Sequence, residues 1–116
     1  MIYALNIIAM LATIGFGMIG WLKPRYTMEK LDLKTGDSTL GLSEIRAANG
    51  ALFVGLGIGA IVISLPIAFV MVGCAYAGAA IGRLTSIIVD KSGQSISLSF
   101  FAAEVALAVF LVWSNI

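Results

Sequence analysis

Long stretches without a charged residue dominate the chain. The first runs from 2 to 22, the second from 47 to 82, and a third covers 96–116 with Glu104 as its only charge. A helix over 2–22 is about 31 Å long, which matches the hydrocarbon core of a bilayer. The pattern therefore predicts membrane-spanning helices rather than the amphipathic elements of a water-soluble domain.

The uncharged stretch 47–82 is too long for a single crossing, because as one helix it would measure about 54 Å. Pro66 lies near its midpoint. Proline lacks an amide donor and disfavours helix at the residue before it, so we predict a tight turn at Leu65 and Pro66. A polar turn over 90–94 separates the last two crossings. The predicted spans are 2–22, 44–64, 67–89 and 96–116.

These spans predict an all-α fold, an integral membrane four-helix bundle with short loops that forms one domain over 1–116. Loop 23–43 must leave the hydrocarbon because it carries Pro24 and several charges. Its Met28, Leu31 and Leu33 could form one short interfacial helix. No basic residue precedes the first span and no small-residue cleavage site follows it, which favours a retained span over a cleaved signal peptide.

The positions of Lys and Arg predict the topology. The first and third loops share one side of the membrane and contain basic residues, whereas the termini and the Pro66 turn contain none. By the positive-inside rule both loops face the cytoplasm and both termini face the periplasm. Aromatic side chains at the span ends are typical interface anchors. The basic residues are Lys23, Arg25, Lys30, Lys34 and Lys91, and the anchors are Tyr3, Trp21, Tyr26 and Trp113.

Composition removes most classes of chemistry. The chain is 60% hydrophobic and 11% charged, whereas a soluble domain carries about 25% charged residues. Because there is no histidine, imidazole-ligated haem or zinc and Ser-His or Cys-His catalytic pairs are excluded. Cys74 is the single cysteine and the net charge is +1. We therefore predict no intramolecular disulfide, no cofactor or metal, and no nucleic-acid partner.

Charges inside the spans are the main candidates for function, because such charges are costly and usually need a partner. Arg83 and Glu104 lie at similar depths on the two spans joined by the 90–94 turn, and Glu44 and Arg46 open the second span from the same side. The two acids and two bases could therefore form one neutral cluster. One hypothesis is a structural clasp. The other is a site in which arginine holds a lipid phosphate or anionic solute and Glu104 carries a proton.

Small residues recur every four positions in two spans. Such stripes let membrane helices approach closely, because lipid is as apolar as leucine and hydrophobic surface alone gives little driving force. The two stripes could pack on each other across the Pro66 hairpin or bind another subunit. They comprise Ala47, Ala51, Gly55 and Gly59 in the second span, and Cys74, Gly78, Gly82 and Ser86 in the third.

The segment Glu-Ile-Arg-Ala-Ala-Asn-Gly at 44–50, Gly82-Arg83 with Asp90, and Glu104 together carry a family resemblance. The chain resembles small bacterial four-span membrane proteins catalogued as a domain of unknown function, some of which are named phage infection proteins. The resemblance implies an inner-membrane protein and implies no reaction. It also implies that the matching charged residues and Gly50 matter.

Three functions compete at this point. The first is a non-enzymatic accessory or scaffold subunit that packs with itself or with a larger membrane complex. The second is a small transporter, although the multidrug exporters of similar length keep their acid in the first span, which here has no charge. The third is a lipid-binding protein that uses Arg46 and Arg83. The first fits best, because few residues lie outside the predicted spans and no nucleophile or metal site is available.

Overall fold

The protein consists of helices, four of which are long and apolar enough to cross a membrane. A computed structural model describes all residues from Met1 to Ile116. These helices confirm the predicted all-helical, multi-pass architecture. In chain order the helices are α1 (Ile2–Leu22), α2 (Pro24–Lys30), α3 (Leu40–Ile63), α4 (Pro66–Val89) and α5 (Ser95–Asn115).

Three of the four predicted spans match the helices to within one residue at each end, but α3 starts at Leu40 rather than at residue 44. The hydroxyl of Ser38 accepts a hydrogen bond from the Leu40 amide at 3.2 Å and so satisfies a donor at the helix start. The helix continues through Glu44 and Arg46, and both residues are exposed.

Helix α3 contains one irregular turn. Residues Ala47–Ala51 are π-helical, and regular α-helix resumes at Leu52 and continues to Ile63. A π-helical turn closes i→i+5 hydrogen bonds and so accommodates one additional residue. Residues before and after this turn are therefore aligned along the helix surface differently than they would be in a regular α-helix.

The two tight connections are made by residues with left-handed backbone. Ser64 has φ of 53°, Leu65 is extended, and Pro66 then opens α4, which confirms the predicted break. After α4, Lys91 has φ of 54° and the Ser92 amide donates to the Ser86 carbonyl at 3.4 Å. The Asp90 amide also donates to the Ser86 carbonyl, at 2.8 Å, so this carbonyl near the helix end accepts two hydrogen bonds.

The short helix expected after the first span is present as α2. Pro24 is its first residue, where a missing amide costs nothing. Met28 is buried, whereas Leu31 and Leu33 follow the end of the helix. Of the three residues predicted to share one interfacial helix, only Met28 is therefore helical.

The helices form two compact units, Tyr3–Val62 and Ile63–Ile116. In the first unit α1 and α3 run antiparallel, since the Gly20 end of α1 lies beside Gly50 and the Met10 region lies beside Gly57. In the second unit α4 and α5 run antiparallel, and Gly73 lies beside Val112. The single domain predicted over residues 1–116 stays a prediction.

Large apolar side chains cover the outside of the helices. Val62, Ile88 and Val109 are each 60% exposed or more, as expected for residues that face lipid. On α1 two polar side chains, Asn6 and Thr13, are buried. The Thr13 hydroxyl donates to the Ala9 carbonyl at 2.8 Å, so the helix itself satisfies that donor.

Candidate functional site

Arg83 and Glu104 form an ion pair between α4 and α5. Arg83 Nε lies 2.6 Å from Glu104 Oε1, and Nη2 lies 3.2 Å from Oε2. Two nitrogens of the planar guanidinium thus donate to the two oxygens of one carboxylate. Such a bidentate ion pair is stronger than one with a single hydrogen bond. The side chains are 30% and 13% exposed, respectively. The pair that equal depth on neighbouring spans predicted is therefore present.

An aromatic ring completes this pair. The Cζ of Arg83 lies 5.2 Å from the centre of the Phe100 ring, within the range of a cation–π interaction. Phe100 precedes Glu104 by four residues on α5, so both project from one helix face. Sequence reasoning missed Phe100, although an aromatic residue one turn before an intramembrane acid is a readable signal.

The chemistry open to this group is limited by its own contacts. The carboxylate of Glu104 accepts two hydrogen bonds from the cation that neutralises it. An acid and a base that satisfy each other in this way fix the register of two helices. The geometry thus agrees with the clasp hypothesis. No group of three or more His, Cys, Asp or Glu side chains that could hold a metal ion is present in the structure.

The other two predicted charges lie in the first unit. Arg46 Nη1 donates to the backbone carbonyl of Trp21 at 2.7 Å. That carbonyl belongs to the last turn of α1, where carbonyls lack intrahelical donors and the helix dipole attracts a cation. Glu44 is exposed. The idea that all four charges form one neutral cluster stays a prediction.

Backbone contact in the first unit occurs at glycines of α1 and of the π-helical turn. A Cβ added at Gly17 would lie 2.6 Å from the carbonyl oxygen of Gly50, and one at Gly20 would overlap the carbonyl of Asn49. A Cβ at Gly50 would in turn overlap the backbone of Trp21. These positions accept only glycine, which gives Gly50 the structural importance that the family resemblance implied.

In the second unit the close approach is at one glycine. A Cβ at Gly73 would lie 2.8 Å from Val112 Cγ2 and 3.0 Å from Leu111 Cβ. These neighbours are mainly side-chain atoms, so the contact is less strict than that at Gly20. Both Gly20 and Gly73 lie outside the predicted stripes.

The predicted stripes lie elsewhere on α3 and α4. A Cβ built at Gly55, Gly59, Gly78 or Gly82 would meet no atom within 4 Å. These glycines are therefore not points of close backbone approach in this structure. Their use in contact with a partner stays a prediction. Of the stripe residues, Ala47, Ala51, Gly55, Cys74, Gly78 and Gly82 are exposed and Gly59 is half-buried.

The similarity of this chain to known proteins is limited to one family model. Neither the curated proteins nor the solved structures yield a match to this chain. A family model described as Domain of unknown function (DUF4345) matches residues 3–114, which is nearly the full length and includes all four long helices. The chain therefore belongs to the DUF4345 family.

Proposed function

We propose that this protein is a non-enzymatic accessory or scaffold subunit of the bacterial inner membrane. It associates through the exposed stripes on α3 and α4, either with a second copy of itself or with a larger membrane complex. The observation that carries this proposal is the open space above Gly55, Gly59, Gly78 and Gly82. A neighbouring helix can approach there without displacing any side chain.

Close contact between helix backbones already occurs within this chain. At Gly20 and Gly50 two of its helices already meet backbone to backbone. Such approach is the main way in which membrane helices gain packing energy over lipid. The stripes on α3 and α4 consist of the same residue types, but their glycines make no such contact within the chain. They are therefore suited to backbone contact with a helix of another subunit.

The charged pair supports an internal role rather than transport. Arg83 and Glu104 neutralise each other through two hydrogen bonds, so a substrate anion would have to compete with a carboxylate already in place. An enzyme would need a nucleophile or a metal site. The scaffold reading requires neither.

Replacement of stripe glycines tests the proposal. Gly55→Leu and Gly78→Leu should each lower the assembled size of the protein after extraction in mild detergent, because leucine forces the partner helix away. Gly15→Leu is the matched control, since Gly15 is also exposed and has no atom near its Cβ position. Normal assembly of both stripe variants, with disruption by Leu56→Ala instead, would show that the stripes face lipid.

The single cysteine distinguishes the two kinds of partner. Cys74 is exposed on the α4 stripe. A second copy packed on that stripe should give a disulfide-linked dimer under mild oxidation in membranes, and Gly78→Leu should reduce its yield. A larger complex should instead give a stoichiometric partner in the extract and little dimer.

The proposed orientation places both termini in the periplasm, on the strength of the five basic residues in the two loops. Fusions to the C terminus test it. Alkaline phosphatase should be active there and a fluorescent protein that requires the cytoplasm should be dark. Fluorescence of the second fusion without phosphatase activity in the first would reverse the orientation.

A further inference from the structure

The two intramembrane arginines differ in how many of their donors are used. Arg83 engages both carboxylate oxygens of Glu104. Arg46 is exposed and donates only from Nη1, to the Trp21 carbonyl at 2.7 Å. A guanidinium has five N–H groups, so most of those of Arg46 have no partner in the chain. Of the two, Arg46 is the one able to bind a further anion.

The position of Arg46 along the helix axis also points to the ligand. Its guanidinium is fixed at Trp21, one residue before the end of α1, whose 21 residues correspond to about 31 Å. This is the depth at which the hydrocarbon ends and lipid phosphates begin. Trp21 is 41% exposed, as expected of an aromatic anchor at that level.

The local charge favours an anion. Lys23 follows Trp21 by two residues, ends α1 and is exposed. Glu44 is the acid nearest to Arg46 in sequence, but residues two apart on a helix do not face each other. The hydrogen bond to Trp21 holds the long Arg46 side chain in place, which lowers the entropic cost of binding.

We propose that Arg46 binds the phosphate of an anionic phospholipid in the leaflet faced by loop 23–43, with Lys23 as a second positive charge. The free edge of the guanidinium matches two phosphate oxygens, which a lysine cannot do. This site is independent of the stripes on α3 and α4. Failure of either proposal would therefore leave the other standing.

Fluorescence quenching in nanodiscs tests the site. Trp113→Phe leaves Trp21 as the only tryptophan, so its emission reports on lipid at this end of α1. Bromine-labelled phosphatidylglycerol or bromine-labelled phosphatidylcholine is added to phosphatidylcholine nanodiscs. We expect phosphatidylglycerol to be preferred, with Arg46 contributing about five-fold to the preference, the ratio for about 1 kcal/mol from one basic residue at the surface.

Three variants in this background locate the preference. Arg46→Gln should remove the five-fold contribution of Arg46, since glutamine carries no charge. Arg46→Lys should reduce it to about two-fold, because the charge stays and the planar fork is lost. Lys34→Gln, which removes an exposed charge of the same loop, should leave it unchanged. Circular dichroism should show equal helix content in all three variants.

Several outcomes would overturn the proposal. Full preference in Arg46→Gln, or full preference in Arg46→Lys, would exclude a guanidinium site. An equal loss of the phosphatidylglycerol preference in Lys34→Gln would show that the positive charges of the loop attract anionic lipid in general, without a site at Arg46. Relief of quenching by an excess of inorganic phosphate would assign the site to a soluble phosphate rather than to a lipid.

Discussion

The α1–α3 pair and the α4–α5 pair are held together by different chemistry. Helix α1 has no charged residue, and it meets α3 through the backbones around Gly20 and Gly50. Helices α4 and α5 are joined by Arg83 and Glu104 and have one close glycine contact, at Gly73. The first pair depends on glycines that let the two backbones touch, beside the hydrogen bond from Arg46 to the Trp21 carbonyl. The second pair depends on an ion pair between two long side chains.

The two helix pairs should tolerate different substitutions. Backbones in contact leave no space for even one methyl group, so the first pair should be sensitive to added volume. An ion pair reaches across a wider gap but leaves an uncompensated charge when one partner is lost, so the second pair should be sensitive to charge.

The largest effect is expected from Gly20→Ala. The added methyl group would overlap the Asn49 carbonyl, and backbone cannot move aside as a side chain can. We expect a loss of about 3 kcal/mol or more in the free energy of unfolding, measured by denaturant titration in detergent. Gly15→Ala, where nothing lies within 4 Å, should be neutral or slightly stabilising. Equal stability of the two variants would contradict the contact.

A double-mutant cycle tests the second pair. Arg83→Gln and Glu104→Gln should each cost about 2 to 3 kcal/mol, because each strands a charge between helices. The double variant should recover much of that loss. Lys30→Gln, an exposed charge outside the long helices, should change little. Additive losses in the double variant would mean that the two side chains do not interact.

Gly73→Ala shows how strict the glycine contact of the second pair is. We expect a cost of about 1 to 2 kcal/mol, less than at Gly20, because the Val112 side chain can shift to admit the methyl group. Adding Val112→Ala should restore part of the loss. A cost equal to that of Gly20→Ala would remove the proposed difference between the helix pairs.

The smallest effect is expected at Phe100. Phe100→Leu keeps an apolar side chain but removes the ring face next to Arg83, and should cost about 0.5 to 1 kcal/mol. In the Arg83→Gln background that cost should vanish. Phe101→Leu is the control, since Phe101 is also half-buried and makes no cation–π contact with Arg83. An unchanged cost without the arginine would point to packing alone.

Much of the architecture follows from the sequence by itself. The length of uncharged stretches and the position of Pro66 determine the four long helices, because a bilayer limits how much apolar chain can cross at once. The pairing of Arg83 with Glu104 follows from two opposite charges at equal depth on spans joined by a short turn. Both inferences depend only on features that can be located along the sequence: the length of apolar stretches, the position of a proline and the depth of charged residues.

Tertiary structure alone decided which small residues make contact and where Arg46 binds. Helix α3 has small residues on more than one face, and only the packed partner helix selects Gly50 and Gly57 over Gly55 and Gly59. The π-helical turn at Ala47–Ala51 also alters their alignment. The acceptor for Arg46 is the backbone carbonyl of Trp21, and because every residue has such a carbonyl, no sequence pattern can mark the one that is used.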